Sequence, residues 1–496
     1  MAGFEGLDTV SPSPAAPGET ASSDADAIAR LKAVFGAQKQ AARTHRVPSV
    51  PERQDRLAAL AGMVVAHRRE IQDAMIADFG VHPRPVTDMT EVLGVAGQAT
   101  YIRERLPEWA AAQARDVDPA LFGTATARIQ YEPKGVLGIL APWNFPFLLS
   151  LGPLADMLGA GNRVVIKPSE VAPACADLLS DMVARTFDPE QVAVVTGGLG
   201  LAKEFPTLRW DHLLYTGNAG VGREVAVAAA GNLVPVTLEL GGKNPAVVAP
   251  DRVDAETVAQ ILGSKLVKSG QVCIAPDYCL VPRDAMPEFV ALARTFMQDT
   301  VPSYAASDDC VGIVSERHTE RLLRLRAEAE RAGCEVVDLP PGGDAAVPGS
   351  RQLPVTLILD PGDDLGIMRE ELFGPLLPVK PYDSFDDAVA YVNSGEPPLG
   401  LYVFSADPEL VAETLARTRS GGACVNTCAI QGVLPSLGFG GAGHSGYGRH
   451  RGVEGFREFS IARGIVERGE GDLIPAFFPP YAGLGQAVVD AAFGAA

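Results

Sequence analysis

Apolar positions recur first with a helical period and then, from residue 136 onward, as short uninterrupted runs set between helical stretches. After Asp26, Ile28, Leu31, Val34 and Phe35 fall on one face, and Leu57, Leu60, Val64, Ile71 and Met75 do the same in the segment that follows. Arg, Lys and Glu fill the opposite faces, so both segments read as amphipathic helices packed on a domain surface. A further helix is predicted over 89–109. Between Thr124 and Ile139 the residues alternate on both sides of Pro133-Lys134-Gly135, which predicts a β-hairpin. Apolar runs at 136–141, 163–166, 192–195, 212–215 and 236–240 follow, with helical stretches ending near 160, over 174–186 and from 220. Buried runs alternating with helices predict βαβ units and a parallel sheet, a doubly wound domain of the dinucleotide-binding type.

After Gly242 the alternation resumes, with strands at 246–249, 278–281, 355–359 and 401–404 and helices over 255–267, 287–297, 316–332, 385–393 and 409–419. That predicts a second α/β domain. The stretch 421–428 reads as a strand running into a loop, and the Gly/Pro-rich 340–352 as a surface insertion. The glycine-rich runs 440–443 and 445–448 read as irregular backbone lining a site. The aromatic, proline-rich 477–481 suits a segment docked on another surface. No internal repeat is evident.

Composition narrows the function classes. At 496 residues the chain exceeds one core. Its 42 basic and 61 acidic residues give a net charge of −19, which disfavours nucleic acid and anionic membrane as partners. Seven scattered cysteines, an odd number, are no disulfide framework and suit a reducing cytoplasm. Cys424 and Cys428 lack a second Cys/His pair, and the seven histidines show no ligand spacing, so no metal is implied. Residues 1–26 carry five acids without one Lys or Arg and no apolar run, which reads as a disordered tail and not as a targeting signal. No stretch of eighteen apolar residues exists to span a membrane.

Chemistry concentrates in Ser269-Gly-Gln-Val-Cys-Ile-Ala-Pro-Asp277. Gly270 permits close backbone approach and Pro276 ends any regular element, so Cys273 is presented on turn chemistry. Alone this is weak, because a free cysteine is usually an inert buried hydrophobe. The glycine fingerprint of dinucleotide domains is missing after the first strand, where the chain reads Ala141-Pro-Trp-Asn-Phe-Pro146. Thr216-Gly-Asn-Ala-Gly-Val-Gly222 follows a later strand and opens a helix, so it is either a pyrophosphate cradle or a plain glycine-rich turn. Lys167-Pro-Ser-Glu170 places a donor and an acceptor after a buried strand, where ribose hydroxyls could sit; the bland reading is a solvated turn.

Six motifs then occur in order: Pro142-Trp-Asn-Phe-Pro146, Lys167-Pro-Ser-Glu170, Leu238-Glu-Leu-Gly-Gly-Lys243, Gly270-Gln-Val-Cys-Ile-Ala275, Glu370-Glu-Leu-Phe-Gly-Pro375 and Phe439-Gly-Gly441. On these the chain resembles the NAD(P)-dependent aldehyde dehydrogenase superfamily over residues 28–482. Cys273-Ile-Ala-Pro-Asp-Tyr278, Asp78-Phe-Gly80, Gly443-His-Ser-Gly446 and Pro479-Pro-Tyr481 are similar to its class 3 branch, in particular to bacterial coniferyl-aldehyde-type dehydrogenases. The resemblance implies an α/β fold with two doubly wound domains and an oligomerisation β-hairpin. Residues 27–119 and 140–240 would form the cofactor domain and 241–431 the catalytic domain. Residues 120–139 and 432–496 would be oligomerisation or bridging segments.

It also implies roles. Cys273 would be the nucleophile that forms a thiohemiacetal and then a thioester, Asn144 an oxyanion donor, and Glu239 the base that activates water. Lys167 and Glu170 would hold the adenine-side ribose, Gly217 and Asn218 the pyrophosphate, and Glu371 the nicotinamide ribose. Trp143 and Phe373 would also belong to the cofactor site, and Phe439 would line the substrate pocket. Asn218 stands where the family usually has Ser, and Gly438 where it usually has Pro. Glu170 would favour NAD over NADP by repelling a 2′-phosphate, though NADP stays open. The implied reaction is oxidation of an aromatic, cinnamyl-type or medium-chain aliphatic aldehyde to the acid, in a homodimer. The alternatives are an acylating, coenzyme A-dependent dehydrogenase, which typically lacks the base, and a non-catalytic NAD-binding structural protein.

Overall fold

The structure, a computed structural model, describes residues 19–304, 307–339 and 350–494. Its first sheet is the predicted doubly wound one. Strands Val136–Leu140, Arg163–Lys167, Val192–Val194, His212–Gly217 and Val236–Leu240 are parallel, and counted in chain order they lie 3-2-1-4-5. Alternate side chains feed two cores. Leu137, Ile139, Val164 and Ile166 meet helices Val50–Ala66, Arg68–Phe79, Leu93–Trp109 and Leu148–Ala160 on one face. Val136, Leu140, Val165 and Leu213 meet Leu31 of helix Glu19–Thr44 on the other. The strand order reverses between Val136–Leu140 and His212–Gly217, and ligands of such sheets bind beyond the carboxyl ends of the strands at that crevice. A sixth, short strand, Gly446–Tyr447, pairs antiparallel with the edge, Gly446 opposite Glu239.

The second sheet has seven strands in the order Glu335–Leu339, Val355–Leu359, Leu376–Tyr382, Tyr278–Pro282, Pro245–Val248, Gly400–Phe404, Gly422–Val425. Only Glu335–Leu339 runs antiparallel. Two of these strands were not predicted. Leu376–Tyr382 carries Pro378 and Pro381, which ordinarily argue against a central strand, and Glu335–Leu339 is half-buried at an edge.

Two further expectations need correction. The Pro133-Lys134-Gly135 turn does not close a hairpin. Thr126–Pro133 pairs instead with Gln113–Arg115 and with Ser460–Glu467, and Val136–Leu140 belongs to the first sheet. The tail reading of 1–26 fails for 19–26, which open helix Glu19–Thr44. Asp24 accepts the Gly198 and Gly200 N–H groups (2.7 and 2.9 Å), capping helix Leu199–Glu204. Residues 1–18 and most of the expected insertion (340–349) lie outside the described residues. Phe477, Phe478 and Tyr481 are exposed within the chain.

Candidate active site

The cysteine loop leaves helix Ala255–Leu266 through three residues with positive φ: Lys268 (49°), Ser269 (52°) and Gly270 (72°). Two non-glycine residues in that region are costly unless their surroundings hold them. Ser269 Oγ donates to the Val311 carbonyl at 2.5 Å. Gln271 Nε2 donates to the Lys268 and Gly312 carbonyls (2.9 and 3.0 Å), and its Oε1 accepts Val314 N–H (3.0 Å). Gly270 needs its missing side chain, since a Cβ would stand 2.3 Å from the Gly374 carbonyl oxygen. Beyond the turn, Asn244 Nδ2 donates to the carbonyls of Cys273 and Ala275 (2.8 and 3.0 Å). Cys273 is thus set on backbone pinned from both sides.

The half-buried Cys273 Sγ donates to Glu239 Oε1 at 3.3 Å. Glu239 is the fourth residue of Val236–Leu240 and is 1% exposed. Burial first, then the Glu239 and Glu371 carboxylates, push the Cys273 thiol well above its usual range, with Arg451 opposing. Of the two routes to a thiolate, a lowered pKa or an adjacent base, the geometry supplies the base. Asn144, also buried, comes from the loop after Val136–Leu140 and donates to the Gln271 carbonyl at 3.1 Å. Phe145, Leu149, Val272, Ile274, Leu399 and Phe439 pack into one apolar cluster against Cys273.

The cofactor-side residues gather at the carboxyl ends of the first sheet. Lys167 closes its strand, buried, and pairs with Glu170. Gly217 closes His212–Gly217 where a Cβ would lie 2.3 Å from the Tyr215 hydroxyl. Asn218 is exposed. Its Oδ1 accepts Val221 N–H at 2.9 Å and caps helix Ala219–Ala230, so one of the helix's first amides is already occupied. Glu371 lies over Gly241, where a Cβ would come within 2.1 Å of both carboxylate oxygens. Burial, then Asp277, push its carboxyl up to about 8. Trp143 meets Phe373 edge-on, ring centroids 5.3 Å apart. A donor–acceptor pair, a helix N-terminus and a carboxyl group over a side-chain-free glycine fit a dinucleotide. Among the described residues no group of three or more His, Cys, Asp or Glu is placed to hold a metal ion.

Sequence reasoning missed the charges behind these groups. Lys268 and Glu91, both fully buried, form an ion pair at 2.7 Å. Glu91 Oε2 also accepts the N–H groups of Phe147 and Leu148 (3.1 and 2.8 Å). Lys268 donates to the Asn144 carbonyl and lies 3.9 Å from the Phe145 ring centroid. Lys268, five residues before Cys273, was a visible signal; Glu91, in a helical turn far away, gave none. His450 and Arg451, buried beside Glu239, were missed as well.

The profile of the group described as "Aldehyde dehydrogenase family" matches residues 5–465. A probable coniferyl aldehyde dehydrogenase of Caulobacter vibrioides is 40% identical over 453 residues, covering 90% of this chain and 93% of the relative. The substrate-bound structure of Staphylococcus aureus AldH superposes with a TM-score of 0.87 at 30% identity, covering 93% of this chain and 99% of its own. A Mycobacterium tuberculosis aldehyde dehydrogenase complexed with NAD+ does so with a TM-score of 0.80 at 27% identity, covering 90% and 91%.

Proposed function

Because the chain belongs to the aldehyde dehydrogenase family, we propose that Cys273, Glu239 and Asn144 carry out its NAD(P)-dependent oxidation of an aldehyde to the acid. The observation that carries this assignment is the 3.3 Å contact between Cys273 Sγ and Glu239 Oε1. Glu239 takes the thiol proton as the sulfur adds to the aldehyde carbon. One amide hydrogen of Asn144 is engaged with Gln271 and the second is free to donate to the new alkoxide, alongside the Cys273 N–H. NAD(P)+, when bound, supplies the acceptor for the hydride leaving that carbon, which converts the thiohemiacetal at Cys273 to a thioester. Glu239 gives up the thiol proton before water attacks, then deprotonates that water as the C–S bond breaks to return the Cys273 thiolate, and the acid departs. Lys167 and Glu170 would hold the adenine-side ribose, Gly217 and the amides after Asn218 the pyrophosphate, and Glu371 the second ribose with Trp143 and Phe373 beside it. Glu170 favours a free 2′-hydroxyl, hence NAD over NADP.

The apolar wall of Phe145, Leu149, Leu399 and Phe439 supports an aromatic or cinnamyl-type substrate, in keeping with the name of the Caulobacter relative. Residues 27–119 with 140–240 act as the cofactor domain and 241–431 as the catalytic domain. Residues 120–139 and 432–496 bridge to a second copy, covering the exposed Ile461, Val466, Phe477, Phe478 and Tyr481. All seven cysteines are free, which supports work in the cytoplasm. Glu239 at the nucleophile speaks against the acylating alternative, and a non-catalytic role needs none of this geometry. The test is NADH formation by wild type and Cys273→Ala with coniferaldehyde, benzaldehyde and straight-chain aldehydes. Turnover abolished in the variant supports the assignment and the substrate ranking defines the pocket; equal turnover removes Cys273 from the mechanism. Free acid as product, without acyl-coenzyme A, separates the two dehydrogenase types.

A further inference from the structure

Glu239 turns one carboxylate oxygen to the nucleophile and the other away from it. Oε2 faces His450 Nε2 at 3.7 Å, just beyond hydrogen-bond reach, and both residues are 1% exposed. Oε2 and both ring nitrogens of His450 are buried without a partner. Six of the eleven such atoms among the described residues belong to Glu239, Asp156, His450, Arg451 and Glu454, so unmet polar capacity is concentrated on and against this turn. Buried polar atoms normally find partners, and an exception at a site calls for a functional reason. His212, a buried histidine of the same sheet, shows the contrast. Its Nδ1 and Nε2 meet Lys134 and Thr237, each at 2.8 Å.

The placement of His450 is fixed by backbone. Its N–H and carbonyl pair with those of Phe439 (2.9 and 2.7 Å), its ring lies edge-on to Phe439, and Gly446 pairs directly with Glu239. Gly446 permits that approach, since at φ +124° a Cβ would stand 2.0 Å from the Leu238 carbonyl oxygen. The charged groups facing the imidazole are Glu239 from its strand and Arg451 on its own turn. Burial lowers the pKa of the imidazole, Glu239 opposes this and Arg451 adds to it.

We infer that His450 is the proton acceptor behind Glu239, so that Cys273, Glu239 and His450 form a relay. This rests on the reading of Glu239 as the base. As water adds to the thioester, its proton goes to Glu239 and the hydroxyl to the carbonyl carbon. The Glu239 carboxyl then closes the 3.7 Å gap and passes the proton from Oε2 to Nε2, and the imidazolium holds it until the acid has left and water entering the site takes it. No electrons are gained or lost in these steps. Glu239 regains its charge inside the site and can serve the next turnover. His450 acts through Glu239 and never touches the aldehyde.

The experiment uses the full-length enzyme as wild type, His450→Ala, His450→Gln and Glu239→Gln, with benzaldehyde and NAD. Expected for His450→Ala is a steady-state kcat down by about 10²-fold, at the low end of general acid–base effects. A rapid NADH burst of one equivalent per site should precede it, because the first proton transfer still has Glu239. Added imidazole should restore turnover to His450→Ala in proportion to its free base and do nothing for His450→Gln, whose amide fills the space without accepting a proton. Turnover within threefold of wild type in both His450 variants, or a loss that imidazole leaves untouched, overturns the relay. If Glu239→Gln retains full turnover, the base assignment itself falls; if only Glu239→Gln is impaired, the relay alone falls.

Discussion

The buried Lys268–Glu91 pair offers the sharpest test of how the site is held. Both side chains are wholly enclosed, and burial pulls the Lys268 ammonium below its usual pKa while Glu91 opposes it. Removing one partner strands a charge in the interior, a loss of about 3–5 kcal/mol. Glu91→Gln keeps an oxygen for the Phe147 and Leu148 N–H groups and so isolates the charge. Lys268→Met leaves the carboxylate with those two donors. Each single variant should melt at least about 6 °C lower, taking roughly 2 °C per kcal/mol for a domain of this size. The double variant buries no charge and should recover most of the loss, because a neutral pair of similar volume replaces a buried ion pair nearly without penalty.

Calorimetry on the four proteins of this cycle measures stability, and NADH formation at 20 °C measures the site while all remain folded. Lys268 donates to the Asn144 carbonyl, so Lys268→Met should also lose about 10²-fold in kcat, the effect of an ångström-scale misplacement of a catalytic group. Singles that melt within 2 °C of wild type, or a double variant whose loss is the sum of the two, would refute the claim that the charges are mutually compensated.

Three other outcomes follow from the geometry. Asn144→Ala should lower kcat by about 10²–10³-fold, the usual effect of removing one oxyanion donor, with the melting temperature near wild type. Gly241→Ala puts a methyl 2.1 Å from both Glu371 oxygens, the movable end of a side chain. Fluorescence titration should therefore show NAD binding at least about tenfold weaker while the apo-protein keeps its stability. Glu371, with its carboxyl at about 8 when folded against 4.5 as a model value, is held protonated by the fold. That preference stabilises the folded state below pH 4.5 and is lost as pH rises to 8. Glu371→Gln should thus melt like wild type at pH 4.5 and progressively higher than wild type up to pH 8, and parallel melting curves across that range would contradict the shift.

What could be read from the sequence divides along a physical line. The five parallel strands of the first sheet were legible because each is buried on both faces and so appears as an uninterrupted apolar run. Cys273, Glu239 and Asn144 could be singled out because each sits in a short motif that carries the resemblance, and the fold brings Cys273 and Glu239 to 3.3 Å. The Pro133-Lys134-Gly135 hairpin was misread for the converse reason. Its turn residues are genuine, but the partner of Thr126–Pro133 is Ser460–Glu467, over three hundred residues away, and nothing local encodes that choice. Helix Glu19–Thr44 starts early because Asp24 caps a helix elsewhere, where composition alone predicted disorder.

The same division separates Cys273 and Glu239 from the groups behind them. A thiol and a carboxylate at 3.3 Å can be expected from motifs, since each must lie at a strand end or turn to meet a substrate. The groups behind them have no such constraint on their local sequence. Glu91 needs only to reach Lys268 from a helical turn, and His450 only to reach Glu239 from a glycine-rich turn. Their identity is set by a buried charge or an unmet proton, which exists only once the chain has folded. A residue of this kind is found by asking which enclosed polar atoms lack a partner. By that criterion His212, satisfied on both nitrogens, is framework, while His450, satisfied on neither, belongs to the chemistry.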